Sequence, residues 1–109
     1  MLHFKPEVRF HPVLAMAYAM RIVETVYAEF GVSDVWINSA NDSKHKLGSL
    51  HYQDRALDFG TKNIPASARP AVHQRIKGLL APMFDVLWEN PGGPNDHFHV
   101  EHDPMKENK

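Results

Sequence analysis

The stretch that decides the fold is His97-Phe98-His99-Val100-Glu101, close to the end of the 109-residue sequence. Apolar Phe98 and Val100 alternate with polar residues, and this period of two predicts a β-strand with one buried face. Because residues two apart share a face of a strand, His97 and His99 are expected to project together, opposite the core.

Two helical patterns precede that strand. Over 12–30, apolar residues recur at three- and four-residue spacing, and Gly31 stands where a C-terminal cap is expected. A second such pattern covers 65–90, with apolar residues on one side. Pro82 has no backbone N–H to donate, so this helix is expected to kink or split there.

Short β-prone runs at 35–37 and 55–59 predict two further strands, the second of which stops at Gly60. The order helix, strand, strand, helix, strand predicts one α+β domain over 1–109. We expect a small, mostly antiparallel sheet with the helices packed on one face. Trp36 and Trp88 are both expected in the core.

Composition narrows the classes of function. The formal net charge of −1 gives no electrostatic reason to expect a nucleic-acid partner. Cysteine is absent, so any metal must be held by nitrogen and oxygen ligands. No apolar run is long enough to span a membrane, and the N-terminus does not resemble a signal peptide. We therefore expect a cytoplasmic location at synthesis, with any role at a cell wall following release. The sequence does not indicate an oligomeric state.

A metal site is predicted from two separated segments. Ser49-Leu50-His51-Tyr52-Gln53-Asp54-Arg55-Ala56-Leu57-Asp58 contains a histidine and an aspartate, and the His97/His99 pair follows some forty residues later. Two imidazoles and one carboxylate leave a tetrahedral zinc ion with one open position, which is typical of a hydrolytic site. Only one histidine of the pair need touch the metal. The alternative interpretation makes these residues ordinary loop, turn and solvated strand positions.

These residues resemble the zinc D-alanyl-D-alanine carboxypeptidases and L-alanyl-D-glutamate endopeptidases, whose fold is shared with the hedgehog signalling domain. The first motif of that family, Ser-x-His-x-x-Gly-x-Ala-x-Asp, is matched by Ser49, His51, Ala56 and Asp58. Its second motif, a His-x-His often preceded by an acid, is matched by 96–99. The resemblance implies an α+β fold of the hedgehog/DD-peptidase type and a Zn²⁺ ion bound by His51, Asp58 and His99.

Two positions depart from the family pattern. Asp54 replaces the motif glycine, and 38–42 lacks the arginine that the family often uses to hold substrate. A cation can come instead from Lys44, Lys46 or Arg55. Ser49 is a second candidate for orienting the substrate.

The resemblance implies hydrolysis of an amide bond in the peptide stem of bacterial peptidoglycan, by a phage-type endolysin or a cell-wall recycling enzyme. It leaves open carboxypeptidase or endopeptidase action. Zinc lowers the pKa of bound water from about 15.7 to about 7. Asp96 is the first candidate for the general base, by resemblance to the family's acid-x-x-His arrangement, and His97 is the second, as base or oxyanion donor. The rival functions are a zinc-binding domain that acts by protein contact without catalysis, and a metal-free structural phage protein.

Overall fold

The computed structural model describes residues 1–6, 8, 13–39 and 55–103. Within these residues the chain forms five strands: β1 (Leu2–Phe4), β2 (Val35–Ser39), β3 (Ala56–Gly60), β4 (Phe84–Glu89) and β5 (His97–His102). The two α-helices are α1 (Leu14–Glu29) and α2 (Arg69–Leu80), the second preceded by a 3₁₀ turn at Ala66–Ala68. The strands form one sheet in the order β1-β2-β3-β5-β4, with β1 parallel to β2 and the other pairs antiparallel. The predicted α+β class is confirmed.

Helix α1 begins and ends close to the predicted range of 12–30. Its buried residues recur at three- and four-residue spacing, as an amphipathic helix requires: Met16, Ala19, Met20, Val23, Val26 and Tyr27. Gly31 follows with a φ of 80°, a left-handed conformation that glycine adopts without steric cost. The N–H of Val32 then donates to the carbonyl of Tyr27, which closes the end of the helix.

The second predicted helix is wrong in its C-terminal half. Helix α2 ends at Leu80, a turn follows at 81–83, and Phe84–Glu89 form strand β4, antiparallel to β5. Phe84 and Val86 are buried while Leu87 is exposed, so this segment follows the strand period of two. The apolar run alone did not distinguish the helical period of 3.6 from the strand period of two. The turn at 91–94 joins β4 and β5 into a hairpin.

Both helices pack on the same face of the sheet. Buried helix residues form one cluster with the inward positions of the strands, including Leu57 and Phe59 of β3 and Phe98 and Val100 of β5. The hydroxyl of Tyr27 donates to the carbonyl of Gly60 over 2.8 Å and ties α1 to β3. In the described ranges, neither helix combines the length and the apolar character that crossing a bilayer requires.

Candidate metal centre

The pairing of β3 with β5 brings two of the predicted metal ligands together. Asp58 and His99 are direct partners in the antiparallel register, and both point away from the helices. His99 Nδ1 lies 2.7 Å from Asp58 Oδ1, and the side chains are 13% and 16% exposed. Residues forty-one positions apart in the chain thus meet on the face of the sheet that points away from the helices. The third predicted ligand, His51, and the predicted substrate residue Ser49 lie outside the described residues.

A carboxylate that the sequence did not predict joins this pair. One ligand atom each from Asp58, Glu89 and His99 lies within 4.8 Å of the others. Glu89 ends β4, where it pairs with His97 of β5. Imidazole nitrogen and carboxylate oxygen are donors that zinc and other divalent ions accept, so the donor set fits a metal ion. Glu89 was not predicted as a site residue because 65–90 was interpreted as a helix. The Pro-Gly turn that follows Glu89 indicates a hairpin instead.

His97 lies beside these groups, and its predicted orientation on the same face as His99 is confirmed. Its Nδ1 lies 2.7 Å from the carbonyl oxygen of Asn95, a contact that orients the ring. Its Nε2 lies 2.8 Å from Glu89 Oε1 and 3.8 Å from Asp58 Oδ1. Both carboxylates thus approach the same ring nitrogen, Glu89 at hydrogen-bond distance and Asp58 beyond it.

His99 is a strongly basic imidazole in this setting. Burial by itself would lower its pKa, but hydrogen bonds and charges from Asp58 and Glu101 outweigh burial and raise the pKa to about 9. Glu101 Oε1 lies 2.6 Å from His99 Nε2, on the side of the ring away from Asp58. A carboxylate behind a histidine is the arrangement that orients metal-binding imidazoles. An ion at Nδ1 would have to displace a proton there.

Asp96, the first candidate for the general base, is the centre of a buried network. Its Oδ1 accepts hydrogen bonds from the Thr61 hydroxyl over 2.6 Å and from the Trp88 indole over 2.8 Å. Its Oδ2 accepts from the Gly92 N–H over 2.8 Å and from the Arg69 guanidinium over 3.1 Å. Burial would raise the pKa of Asp96, but the hydrogen bonds and Arg69 lower it below its ordinary value. The contacts fasten the β4–β5 turn to the start of α2.

Arg55, a predicted substrate-binding residue, lies away from the group formed by Asp58, Glu89 and His99. Its Nη1 is 2.7 Å from Nδ1 of His102, a buried residue on β5. Arg55 precedes Asp58 by three positions and His102 follows His99 by three, so strand alternation directs this pair to the opposite face of the sheet. The described structure does not bring Arg55 to the Asp58–His99 pair.

A cavity of about 660 Å³ opens beside Asp58. Its lining also includes His97 and Trp36. The predicted core location of Trp36 is wrong, since its side chain is 43% exposed. Val35 and Ile37 occupy the inward positions of β2, so the residue between them must face outward. Trp88 is partly buried and packs against the core, as predicted.

Comparisons with known proteins identified no relative of this chain. No protein-family model, no curated protein and no solved structure matches this chain. The resemblance to the zinc carboxypeptidases and endopeptidases therefore rests on the motif residues alone.

Proposed function

We propose that this chain is a zinc metallopeptidase of the hedgehog/DD-peptidase type that hydrolyses an amide bond in the peptide stem of bacterial peptidoglycan. The observation that carries the proposal is the 2.7 Å approach of His99 Nδ1 to Asp58 Oδ1. Each residue comes from a different motif of the resemblance, and the motifs specify these two as ligands of the same ion.

Each residue of the centre has a defined task in this proposal. Asp58 and His99 would hold the ion, with His51 as the third ligand by resemblance, and Glu101 would fix the orientation of the His99 ring. The chemistry that zinc would supply there is an activated water near neutral pH and polarisation of the scissile carbonyl. Glu89 lies close enough to approach the same ion.

His97 is the better supported of the two candidates for proton transfer. It shares a face with His99, and its Nε2 is 3.8 Å from the carboxylate that would bind the metal. Asp96 already accepts from four donors, and its pKa is lowered, which makes it a poor proton acceptor. Both ring nitrogens of His97 face oxygen acceptors, so in the proposed enzyme His97 is a proton donor, to the oxyanion or to the departing amine, and Asp96 holds the adjacent turn.

The rival function is a zinc-binding domain of the same fold that acts by protein contact without catalysis. The orientation of Arg55 favours it, because this guanidinium contacts His102 and does not replace the arginine that the family often uses for substrate. The two functions share the metal centre and differ in whether peptidoglycan is cleaved.

The test measures metal content and cleavage on untagged protein. We expect one zinc ion per chain by elemental analysis, and loss of zinc in Asp58→Asn and His99→Ala. The matched controls are Glu29→Gln, an exposed helix carboxylate, and His73→Ala, a histidine on α2; both should keep the ion. Digestion of purified peptidoglycan should release new amino termini. Full zinc in His99→Ala would contradict the centre, whereas zinc without cleavage would support the rival function.

A further inference from the structure

Trp36 is an exposed tryptophan held firmly in place. The His3 ring stacks on it with 4.5 Å between ring centroids and 19° between planes. His3 Nε2 is in turn 2.9 Å from Asp34 Oδ1, and Asn63 donates to the carbonyl of Asp34 over 2.6 Å. These contacts fix the orientation of the 43% exposed indole, so its ring is pre-oriented for a stacking ligand.

The surroundings of Trp36 are polar. It lines the same cavity as Asp58, together with Asn38, Asn63 and the lysines Lys5 and Lys62. The amide of Asn38 lies over Gly60, where a Cβ would come within 2.9 Å of Nδ2, so the glycine makes room for this amide. One flat aromatic surface bordered by amide and ammonium donors suits a ligand with a flat C–H face and many oxygen acceptors.

We infer that Trp36, backed by His3, is a subsite that stacks a pyranose ring of the glycan strand beside the peptide being cleaved. The inference depends on the proposed function for its choice of ligand. The hydrogens of a pyranose C–H face are weakly positive and lie against the negative face of an indole ring. The stem peptide of peptidoglycan has no aromatic side chain to occupy this surface, whereas every sugar of the glycan presents such a face.

The spacing fits a scissile bond near the sugar. Ile37 is opposite Phe59 in the β2–β3 register, so Trp36 lies beside Gly60, two residues from Asp58 and roughly 7 Å along β3 at about 3.3 Å per residue. The lactyl group and first amino acid of the stem together span about 7 Å when extended, and the half-width of the ring adds to this. Amide bonds at the far end of the stem lie roughly 10 Å further from the sugar. Stacking on Trp36 therefore favours cleavage of an amide close to the glycan.

Binding of a peptide-free probe tests this subsite without requiring cleavage. We would use saturation-transfer NMR with the disaccharide N-acetylglucosaminyl-N-acetylmuramic acid. Wild type should transfer saturation to the protons of one pyranose ring, Trp36→Ala should lose this transfer, and Trp36→Phe should keep part of it. Tyr18→Ala, which removes a half-exposed aromatic on α1, is the matched control and should behave as wild type.

A kinetic comparison measures the consequence. The ratio of kcat/KM for a muramyl peptide to that for the same peptide without sugar should fall by roughly two- to tenfold in Trp36→Ala, the value of one aromatic stacking contact. An unchanged ratio, or saturation transfer that survives Trp36→Ala, overturns the inference. Saturation transfer to the free stem peptide in place of the disaccharide also overturns it. Disaccharide binding at Trp36 in a protein that cleaves nothing would refute the peptidase and leave the subsite intact.

Discussion

Replacing Asp96 by alanine should destabilise the protein more than it alters the chemistry. Asp96 is 6% exposed and accepts hydrogen bonds from four donors. In Asp96→Ala, Thr61 keeps the Asp96 carbonyl as an acceptor 3.0 Å away, and the N–H of Gly92 sits in an exposed turn that water can reach. The main losses are the partner of the Trp88 indole, about 1–2 kcal/mol, and the charged partner of Arg69, about 2–3 kcal/mol.

The sum is about 3–5 kcal/mol of a total that is roughly 5–15 kcal/mol for a domain of this kind. In a urea titration with an m-value of about 2 kcal/mol/M, the midpoint should fall by about 2 M. Glu29→Ala, which breaks an exposed pair with Arg75, should leave the midpoint nearly unchanged. A wild-type midpoint for Asp96→Ala would refute the structural role. If that variant also kept its zinc and lost cleavage, the original assignment of Asp96 as the general base would be supported.

Acidification provides a second readout of the same network. Because the folded-state pKa of Asp96 is lowered, its contribution to stability is present above the ordinary pKa and is lost as the pH falls through the folded value. Asp96→Asn cannot ionise, so its stability should decline less steeply than that of wild type below about pH 4. Parallel acid-unfolding curves for the two proteins would show that Asp96 does not contribute in this way.

Four further predictions concern the metal centre and one turn. Zinc affinity, measured by chelator competition, should rise about tenfold per pH unit up to about pH 9, because the ion displaces the His99 proton; a flat profile would contradict this. Glu101→Gln should weaken zinc binding by roughly 10–100-fold in the same assay, and equal affinity would exclude an orienting role. His97→Gln should retain zinc by elemental analysis and lower kcat by roughly 10²–10⁴, whereas an unchanged kcat would remove His97 from proton transfer. Gly31→Ala should destabilise by about 1–2 kcal/mol in urea because φ is 80°, and equal stability would show that the turn relaxes.

The sequence predicted those parts of the fold in which one hydrophobic period was unambiguous. The alternation of Phe98 and Val100 was sufficient to place β5 and to direct His97 and His99 to one face, and α1 followed from its helical spacing. Strand β4 was missed because Val86, Leu87 and Trp88 form a short apolar run that fits either period. Strand β1 was not predicted, and its parallel pairing with β2 depends on a non-local contact that the local pattern does not encode.

A residue of the candidate site was predicted where the strand that carries it was predicted. Asp58 and His99 came from correctly predicted strands and are register partners. Glu89 was missed together with β4. Arg55 was a candidate by sequence proximity alone, yet its odd separation from Asp58 already indicated the opposite face of β3. For Asp96, the sequence supplied an acid before a histidine, but only the fold brings Thr61, Trp88 and Arg69 around it.

Charge balance supplies a further test of the proposed ion. Three carboxylates, from Asp58, Glu89 and Glu101, contact two imidazoles within a small region of the sheet. Below about pH 9 the proton on His99 offsets one of these negative charges. A divalent ion that displaces this proton replaces one positive charge by two and reduces the remaining repulsion between the carboxylates. Chelation should therefore lower the melting temperature of the wild type and leave that of His99→Ala unchanged, and an equal effect on both would show that the stabilising ion, if bound, lies elsewhere.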